Sequence, residues 1–210
     1  MMGSGVFSNQ YHFVTRWEVE GTLQEVSEIL GDTISLTRWW PSVYLRVEDM
    51  APGDSRGVGK VVSLRTKGWL PYTLCWTFCV TESHHPYGFA LRAWGDFVGH
   101  GRWGFGQESS KVSVTYDWKI RADKPLLRAF SFLFKPVFSA NHRWAMARGE
   151  ESLKLELARR RAVTTEERAR IPAAPLPTTT SPVTFCFGIT AIIGAGVGLA
   201  FLLRKWRRGT

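Results

Sequence analysis

Residues 72–81 read YTLCWTFCVT, and this stretch has the clearest periodicity in the chain. Large apolar side chains alternate in it with threonine and cysteine. The apolar face consists of Tyr72, Leu74, Trp76, Phe78 and Val80. Strict alternation of this kind is typical of a β-strand that buries one of its faces. We therefore predict a strand of an antiparallel sheet whose apolar side covers a core.

The same alternation recurs before and after this strand. Further strands are predicted at residues 13–20, 43–50, 58–66, 88–98, 99–107 and 111–120. In the fifth and sixth strands, Leu91, Phe97 and Trp103 share one face. In the seventh strand, Tyr116 and Trp118 belong to the apolar face. Seven strands of this kind predict a curved antiparallel sheet with one apolar and one polar face.

Two short helices are predicted between the first two strands. Residues 22–25 read TLQE, which is the S/T-x-x-E pattern of a capping box and predicts a helix that ends near Leu30. A second helical turn at residues 36–40 is ended by Pro41.

After the last strand, residues 124–162 have helical spacing, with a break predicted at Pro136. The small residues Ala145 and Gly149 would let this helix lie close to the sheet. Glu156 is expected on the solvent side. The stripe that faces the sheet consists of Phe134, Phe138, His142, Ala145, Gly149 and Leu153.

Four motifs follow one another along this order of elements: WWP at 39–41, GHGRW at 99–103, VTYDW at 114–118 and NHRWAMARGEE at 141–151. Over residues 11–162 the chain resembles the START-like superfamily, and most of all its bacterial polyketide cyclase/dehydrase and lipid-transport (SRPBCC) branch. The resemblance implies an α+β helix-grip fold, in which a seven-stranded curved antiparallel sheet wraps around a long C-terminal helix. It also implies an apolar cavity between sheet and helix for lipids, sterols, quinone-like molecules or polyketides.

The aromatic content agrees with such a cavity, since the chain has 10 tryptophans and 13 phenylalanines. Aromatic concavities with a few polar points are typical of sites for hydrophobic ligands. The predicted ligand-binding residues are Trp39, Trp40, Leu74, Trp76, Phe78, Leu91, Phe97, Trp103, Tyr116, Trp118, Phe138 and His142. The alternative is that these rings only fill a core and that the domain is an interaction module. A cavity smaller than about 150 Å³ would favour that alternative.

Catalysis in the same cavity is a second hypothesis, in which the domain is a polyketide cyclase or dehydratase. Its polar groups would be His142, as a general base, and Tyr116. His142 is also compatible with a polar anchor for a ligand or with a hydrogen-bonded core residue. The chain has no Ser-His-Asp order, no Gly-rich phosphate loop, no nucleic-acid motif and no set of residues at metal-ligand spacing. We therefore expect no cofactor, no metal and no nucleic-acid partner.

An uncharged run of residues, VTFCFGITAIIGAGVGLAFLL, extends from Val183 to Leu203. As a helix it would be about 31 Å long, which matches the hydrocarbon core of a bilayer. The run is followed by the basic residues Arg204, Lys205, Arg207 and Arg208. We predict a single transmembrane helix that anchors the domain, rather than a buried core helix or a peptide that docks on a partner.

Within this run, Gly194 and Gly198 form a GxxxG pattern, which predicts a weak homodimer through the anchor. The other predicted partners are a membrane and a hydrophobic small molecule or lipid.

The predicted organisation has five parts. They are a disordered N-terminus (1–10), the ligand-binding domain (11–162), a charged and then Pro/Thr-rich linker (163–182), the transmembrane helix (183–203) and a basic tail (204–210). The first residues contain no basic region followed by an apolar one, so we expect no cleavable signal peptide and a cytoplasmic domain on a cell membrane. The excess of basic residues after the apolar run favours the opposite orientation. The net charge of +9 is explained by anionic lipid head groups rather than by nucleic acid.

The predicted hairpin loop at residues 67–71, KGWLP, carries a bulky apolar pair beside a lysine. We predict that Trp69 or Leu70 is exposed near the mouth of the cavity, where it could enter the head-group region of a membrane. The alternative is that both side chains fold back onto the core.

Overall fold

The computed structural model describes residues 9–122 and 125–178. Seven strands form one sheet in the order β1-β7-β6-β5-β4-β3-β2, and every neighbouring pair is antiparallel. The strands are β1 (Gln10–Glu20), β2 (Tyr44–Ala51), β3 (Val61–Lys67), β4 (Thr73–Ser83), β5 (Gly88–Gly95), β6 (Phe97–Glu108) and β7 (Lys111–Ala122). The helices are α1 (Leu23–Gly31), α2 (Leu36–Trp39), α3 (Pro125–Arg161) and α4 (Thr165–Arg170). The predicted α+β helix-grip architecture, a seven-stranded antiparallel sheet with a long C-terminal helix, is confirmed.

The alternation in β4 has the predicted consequence for burial. Trp76, Phe78 and Val80 are buried on the inner face, whereas Cys75 on the outer face is exposed. Antiparallel pairing brings residues of the same parity side by side, so β5, β6 and β7 continue the same apolar face. The core lies between this face and the helices.

The predicted boundary between the fifth and sixth strands, at residues 98 and 99, is wrong. The chain turns at Gly95 and Asp96, because Gly95 adopts a φ of +121° that glycine tolerates best. The Asp96 carboxylate also accepts a hydrogen bond of 2.9 Å from the Cys75 amide, and the Asp96 amide donates to the Cys75 carbonyl at 3.0 Å. Hydrogen bonds between Asp96 and the backbone of Cys75 in β4 therefore fix the hairpin, which alternation within the strands does not reveal.

The capping box at the start of α1 is confirmed. The Thr22 side chain accepts from the Glu25 amide at 3.3 Å, and the Glu25 carboxylate accepts from the Thr22 amide at 2.8 Å. The same carboxylate binds the guanidinium of Arg161 at the end of α3, with N–O distances of 2.7 Å. The Arg161 hydrogen bond is the main cause that lowers the pKa of Glu25 to about 2. This pair ties the first helix to the last turn of α3.

The break predicted at Pro136 is wrong, because α3 is one continuous helix through this residue. A proline removes one backbone hydrogen bond and crowds the preceding turn. The residues on both sides of Pro136 nevertheless keep helical conformation, so this local cost does not end the helix.

The expectation that Glu156 faces solvent is also wrong, since only 1% of this residue is exposed. Its position three residues after Leu153 places it on the buried stripe of α3. The guanidinium of Arg38 in α2 donates two hydrogen bonds of 2.8 Å to its carboxylate, and Arg160 donates a third at 3.1 Å. Burial raises the pKa of Glu156, but the hydrogen bonds from Arg38 and Arg160 outweigh it and lower the pKa overall. The carboxylate is therefore buried as an ion.

In the part of the chain that the structure describes, no helix is long and apolar enough to cross a membrane. The segment for which a transmembrane helix is predicted, Val183 to Leu203, lies outside the described residues, and so do Gly194, Gly198 and the basic residues Arg204, Lys205, Arg207 and Arg208.

Candidate functional site

A cavity of about 160 Å³ lies between the inner face of the sheet and α3. Most of its wall is aromatic or aliphatic, and Lys67 is the one charged residue among the described residues that form it. The lining comprises Tyr11, Phe13, Trp40, Val43, Tyr44, Thr66, Lys67, Gly68, Tyr72, Leu74, Trp76, Phe97, Tyr116, Trp118, Ile120, Phe138, Asn141, His142, Ala145 and Met146. Ten residues of this lining are partly exposed, and four of them, Lys67, Tyr72, Phe138 and Asn141, are here called the mouth.

One wall of the cavity is a stack of aromatic rings on β6 and β7. The rings of Trp103 and Tyr116 are 4.0 Å apart and nearly parallel, and Trp118 continues the stack 5.5 Å from Tyr116. The stack depends on Gly101, which pairs with Trp118 across the strands. A Cβ atom at Gly101 would lie 2.8 Å from the Trp118 ring and 2.9 Å from the Tyr116 hydroxyl. Glycine at this position therefore lets the two rings lie flat on the sheet.

Three buried polar atoms of the lining have no hydrogen-bond partner within the part of the chain that the structure describes. They are the Tyr11 hydroxyl, Trp40 Nε1 and His142 Nε2. A buried polar group without a partner costs free energy, and such groups cluster where a ligand or water can bind. These atoms come from β1, the end of α2 and α3, so the fold brings together polar groups that are distant in the sequence.

His142 is held face to face against Phe13 of β1, with ring centroids 4.1 Å apart. Burial, with a smaller contribution from the charge of Arg143, lowers the pKa of His142 to about 4. The imidazole is therefore neutral at pH 7, and a ligand would meet it as a neutral donor or acceptor at Nε2.

The tyrosines of the cavity are also neutral at pH 7. Burial raises the pKa of the Tyr44 and Tyr116 hydroxyls well above the usual value, and Tyr72 is affected in the same way. Trp76 Nε1 donates a hydrogen bond of 3.0 Å to the Thr66 hydroxyl and so has its partner inside the wall. The interior thus consists of uncharged rings with a few hydrogen-bonding atoms, which suits a hydrophobic ligand with one or two polar groups.

Eight of the twelve predicted ligand-binding residues line this cavity: Trp40, Leu74, Trp76, Phe97, Tyr116, Trp118, Phe138 and His142. The other four do not line it. Trp39 is fully buried behind Trp40, and Leu91 packs within the core. Trp103 supports the cavity from behind through its stack on Tyr116, and Phe78 lines a different cavity.

Several residues of the lining were not identified from the sequence. Tyr11 and Phe13 have the same strand parity as the buried Trp17, so alternation could have identified them. Asn141 and Met146 lie three residues after Phe138 and four after His142, which is the spacing of the helical stripe. Tyr44 gave no such signal, because it begins a short edge strand with irregular register.

The prediction for the loop at residues 67–71 is wrong for one of its two side chains. Leu70 is fully buried, and its amide donates a hydrogen bond of 3.2 Å to Asn141 on α3. Trp69 is half-buried. The loop therefore folds back at Leu70 and is hydrogen-bonded to α3 at the mouth.

Phe134, which is predicted to face the sheet, belongs to the part of α3 whose side chains the structure does not describe.

A second cavity, of about 500 Å³, lies at the other end of β4. It is bounded by Ser27 of α1, by Arg56 and Lys60 before β3, and by His84 and His85 after β4. Its cationic side chains already have acidic neighbours, since Lys60 lies 3.4 Å from Asp49 and Arg56 lies 3.9 Å from Asp54. Of the predicted ligand-binding residues, only Phe78 lines it.

The remaining histidines lie outside the first cavity. His100 is on the exposed outer face of the sheet, His12 lies 3.1 Å from Asp117, and His85 contacts Ser27 at 3.3 Å. Within residues 9–122 and 125–178, no group of three or more His, Cys, Asp or Glu side chains is arranged to hold a metal ion.

No family model and no curated protein sequence matches the chain. Solved structures match its fold. The ZhuI aromatase/cyclase from Streptomyces sp. R1128 is 17% identical, with a TM-score of 0.55 over 73% of this chain and 97% of the other. A START superfamily protein from Mycobacterium smegmatis is 12% identical, with a TM-score of 0.52 over 68% of this chain and 98% of the other. Norcoclaurine synthase from Thalictrum flavum, in complex with dopamine and hydroxybenzaldehyde, is 13% identical, with a TM-score of 0.51 over 78% of this chain and 97% of the other.

The chain has the helix-grip fold of these solved structures, and the cavity between its sheet and α3 is lined mostly with aromatic rings.

Proposed function

We propose that the protein binds a hydrophobic small molecule in the aromatic cavity under α3 and that its C-terminal segment holds it at a membrane. The observation that carries the first part is the set of unpartnered polar atoms inside an apolar wall, from Tyr11, Trp40 and His142. These three atoms are the natural contacts for the polar end of a ligand whose remaining surface packs against rings.

The chemistry of the cavity favours binding over catalysis. A general base works best when its pKa lies near the working pH, whereas the pKa of His142 is about 4. The tyrosines have raised pKa values, and no carboxylate belongs to the described lining. A cyclase or dehydratase would need a stronger proton acceptor than this cavity offers, so binding without chemical change is the leading function.

The size of the cavity limits what it can hold. An apolar cavity of about 150 Å³ accommodates one benzene, whereas sites for drug-sized molecules usually measure about 300–1,000 Å³. At about 160 Å³ the cavity fits a ring-sized group. We infer that the ligand is either a small ring compound or a larger lipid-like, quinone-like or polyketide-like molecule whose ring end enters through the mouth. The complex of norcoclaurine synthase with dopamine and hydroxybenzaldehyde is an example of single-ring molecules bound by a protein of this fold.

The membrane part of the proposal rests on the sequence of residues 183–203. An uncharged run of this length, ended by basic residues, has the dimensions of a transmembrane helix. The proposal places residues 11–162 on the cytoplasmic side of a cell membrane, tethered by the linker at residues 163–182. Gly194 and Gly198 would allow a weak homodimer within the bilayer.

Native mass spectrometry of the full chain tests the function. The chain is extracted from membranes with a mild detergent, and the mass of each non-covalent complex is measured. We expect one hydrophobic molecule per chain, in addition to any lipids that surround the transmembrane segment. The matched control is a fusion of residues 171–210 to an unrelated soluble domain, which reports molecules that bind only to the anchor.

The outcomes separate the hypotheses. A discrete ligand on the full chain and not on the fusion supports binding. Equal complexes on both would show that the anchor, rather than the cavity, retains lipid. A full chain that is bound to membranes but carries no ligand would support an interaction module. A chain that a carbonate wash removes from membranes would contradict the tether.

A further inference from the structure

The residues that follow α4 do not leave the domain directly. Residues 171–178 run back along it, and Ala174, Pro175, Pro177 and Thr178 are half-buried. The Arg159 guanidinium donates a hydrogen bond to the Pro172 carbonyl. At the other end of the segment, Lys67 Nζ donates a hydrogen bond of 2.5 Å to the Thr178 carbonyl.

These two contacts place the segment along the length of α3. Arg159 lies on α3 itself, and Lys67 begins the loop that Asn141 of α3 contacts. Asn141 and Arg159 are 18 residues apart on this helix, which corresponds to about 27 Å at 1.5 Å per residue. The six steps from Pro172 to Thr178 cover about 19 Å in a polyproline-like conformation, and the long side chains of Arg159 and Lys67 bridge the rest. The segment therefore leads from the C-terminal end of α3 to the mouth of the cavity.

The segment at residues 171–178 ends at the mouth of the cavity. Lys67, which holds Thr178, is one of the four residues of the mouth. Val183, where the apolar run begins, follows Thr178 by five residues, and five steps of chain span at most about 18 Å. We propose that the mouth of the cavity faces the bilayer, so that ligand passes directly between the cavity and the membrane. This inference rests on the proposed function, because it needs the anchor at residues 183–203.

The charges at the mouth fit an anionic lipid surface. Lys67 lies in the mouth itself, Lys135 lies with its Nζ 5.7 Å from the ring of the cavity residue Tyr11, and Arg143 follows His142 on α3. The described lining contains no acidic residue. Basic side chains near a membrane are attracted to anionic lipids, and tyrosine and tryptophan are common at the head-group level. Tyr72 and the half-buried Trp69 occupy that position here.

The end of the domain opposite the mouth should lie far from the bilayer, and a label there can be compared with a label at the mouth. Strand β4 leads away from the mouth, from Thr73 to Ser83, and the loop after it carries Tyr87. Eleven residues of strand correspond to about 35 Å. Tyr87 is exposed and should lie far from the lipid if the mouth faces the membrane.

Depth-dependent fluorescence quenching tests the orientation in the full chain. Cys75, Cys79 and Cys186 are first replaced by serine. A fluorophore is then attached through Pro71→Cys at the mouth or through Tyr87→Cys at the opposite end. The chain is placed in nanodiscs of phosphatidylcholine and phosphatidylglycerol that contain a lipid with a nitroxide on its head group. We expect at least threefold stronger quenching at position 71 than at position 87, and Trp69→Cys serves as a second label at the mouth.

A longer tether is the matched control. Insertion of 20 Gly/Ser residues after Thr178 adds a flexible chain with an end-to-end distance of about 25 Å, which should reduce the difference between the two labels. If the chain enters nanodiscs but both labels are quenched equally, or position 87 more strongly, the orientation is wrong while the tether stands. If the chain does not enter nanodiscs at all, the tether is wrong, and this orientation is wrong with it.

Discussion

The two halves of α3 contact the domain in different ways. From Phe138 to Met146 the helix faces a cavity, and His142 has a buried nitrogen without a partner among the described residues. From Gly149 to Arg161 the helix is closely packed, and its charged side chains bind Glu25 and Arg38. In the first half a buried polar atom without a partner lowers stability, whereas the second half supplies contacts that hold the helix in place.

The difference follows from what each half faces. The second half meets α1 and the end of α2, where Gly149 accommodates the ring of Trp40 and Glu156 binds Arg38. The first half meets β1, β7 and the loop before β4, where the ring of Phe138 contacts Tyr11 and Tyr72 edge to face and a cavity remains. The predictions below alter one half at a time, so that stability and binding can be separated. The stability measurements use residues 1–178, which contain the whole sheet and its core.

The largest effect on stability is expected from Glu156→Gln. This change replaces the buried carboxylate that pairs with Arg38 by an uncharged amide. Removal of one partner of a buried ion pair costs about 3–5 kcal/mol. Because Arg38 is half exposed, we expect the lower end, about 3 kcal/mol, or roughly 6–12 °C in the midpoint of thermal unfolding. Differential scanning calorimetry measures this shift.

Glu151→Gln is the control for that change. Glu151 contacts Arg148 at 2.6 Å on the exposed side of the same helix, where an ion pair contributes little. Its unfolding midpoint should stay within about 1 °C of the parent. A similar loss in both variants would mean that the buried pair does not hold α3 in place.

A pH-dependent effect of about 2 kcal/mol is expected from His142. An unfolded histidine has a pKa near 6.5, whereas the folded value is about 4, so between pH 7.5 and pH 5 the unfolded state takes up a proton that the folded state does not. His142 therefore lowers stability as pH falls, by about 2 kcal/mol at pH 5. Urea unfolding at the two pH values measures this loss.

His142→Phe keeps a ring against Phe13 but cannot be protonated, so the loss between pH 7.5 and pH 5 should be about 2 kcal/mol smaller than in the parent. The window ends at pH 5 because below it the Glu25 carboxyl of the unfolded state, with a pKa near 4.3, begins to take up a proton, whereas its folded pKa is about 2. The same pH dependence in parent and variant would contradict a buried neutral imidazole.

A smaller effect, about 1–2 kcal/mol, is expected from Gly149→Ala. Alanine normally stabilises a helix by about 1 kcal/mol relative to glycine. Here the added Cβ would lie 2.2 Å from the Trp40 ring, so overpacking should outweigh this gain. Gly31→Ala is the matched control, because no atom in residues 9–122 and 125–178 lies within 4 Å of its added Cβ. If urea unfolding shows that both changes stabilise the domain, the close contact between α3 and Trp40 is wrong.

Much of the fold could be predicted because its signals are local. The alternation in β4 and the capping box at Thr22 are read from neighbouring residues, and both are confirmed. The burial of Glu156 could not be predicted, because its partner Arg38 lies 118 positions away. The turn at Gly95 could not be predicted for a related reason, since the Cys75 amide that helps to fix it belongs to another strand.

The cavity shows the same division. Rings on strands with clear parity, such as Trp76 and Trp118, were identified from the sequence, whereas the role of Trp103 was not. Parity shows which face a ring is on, but not whether it borders empty space or lies behind another ring, as Trp103 lies behind Tyr116. Cavities arise where packing is incomplete, and this depends on the assembled positions of all elements.

Filling the cavity tests most directly whether it binds a ligand. Ala145 lines it, and Ala145→Phe would add a ring inside; Val14→Phe adds the same ring to the exposed outer face of β1. Phenol, a single ring with one hydroxyl, is titrated into residues 1–178 of the parent and of each variant, and its binding is measured by isothermal titration calorimetry. We expect saturable binding of one probe per chain, weakened at least tenfold by Ala145→Phe and unchanged by Val14→Phe. Equal affinity in all three proteins, or no saturable binding to the parent, would contradict a ligand site under α3.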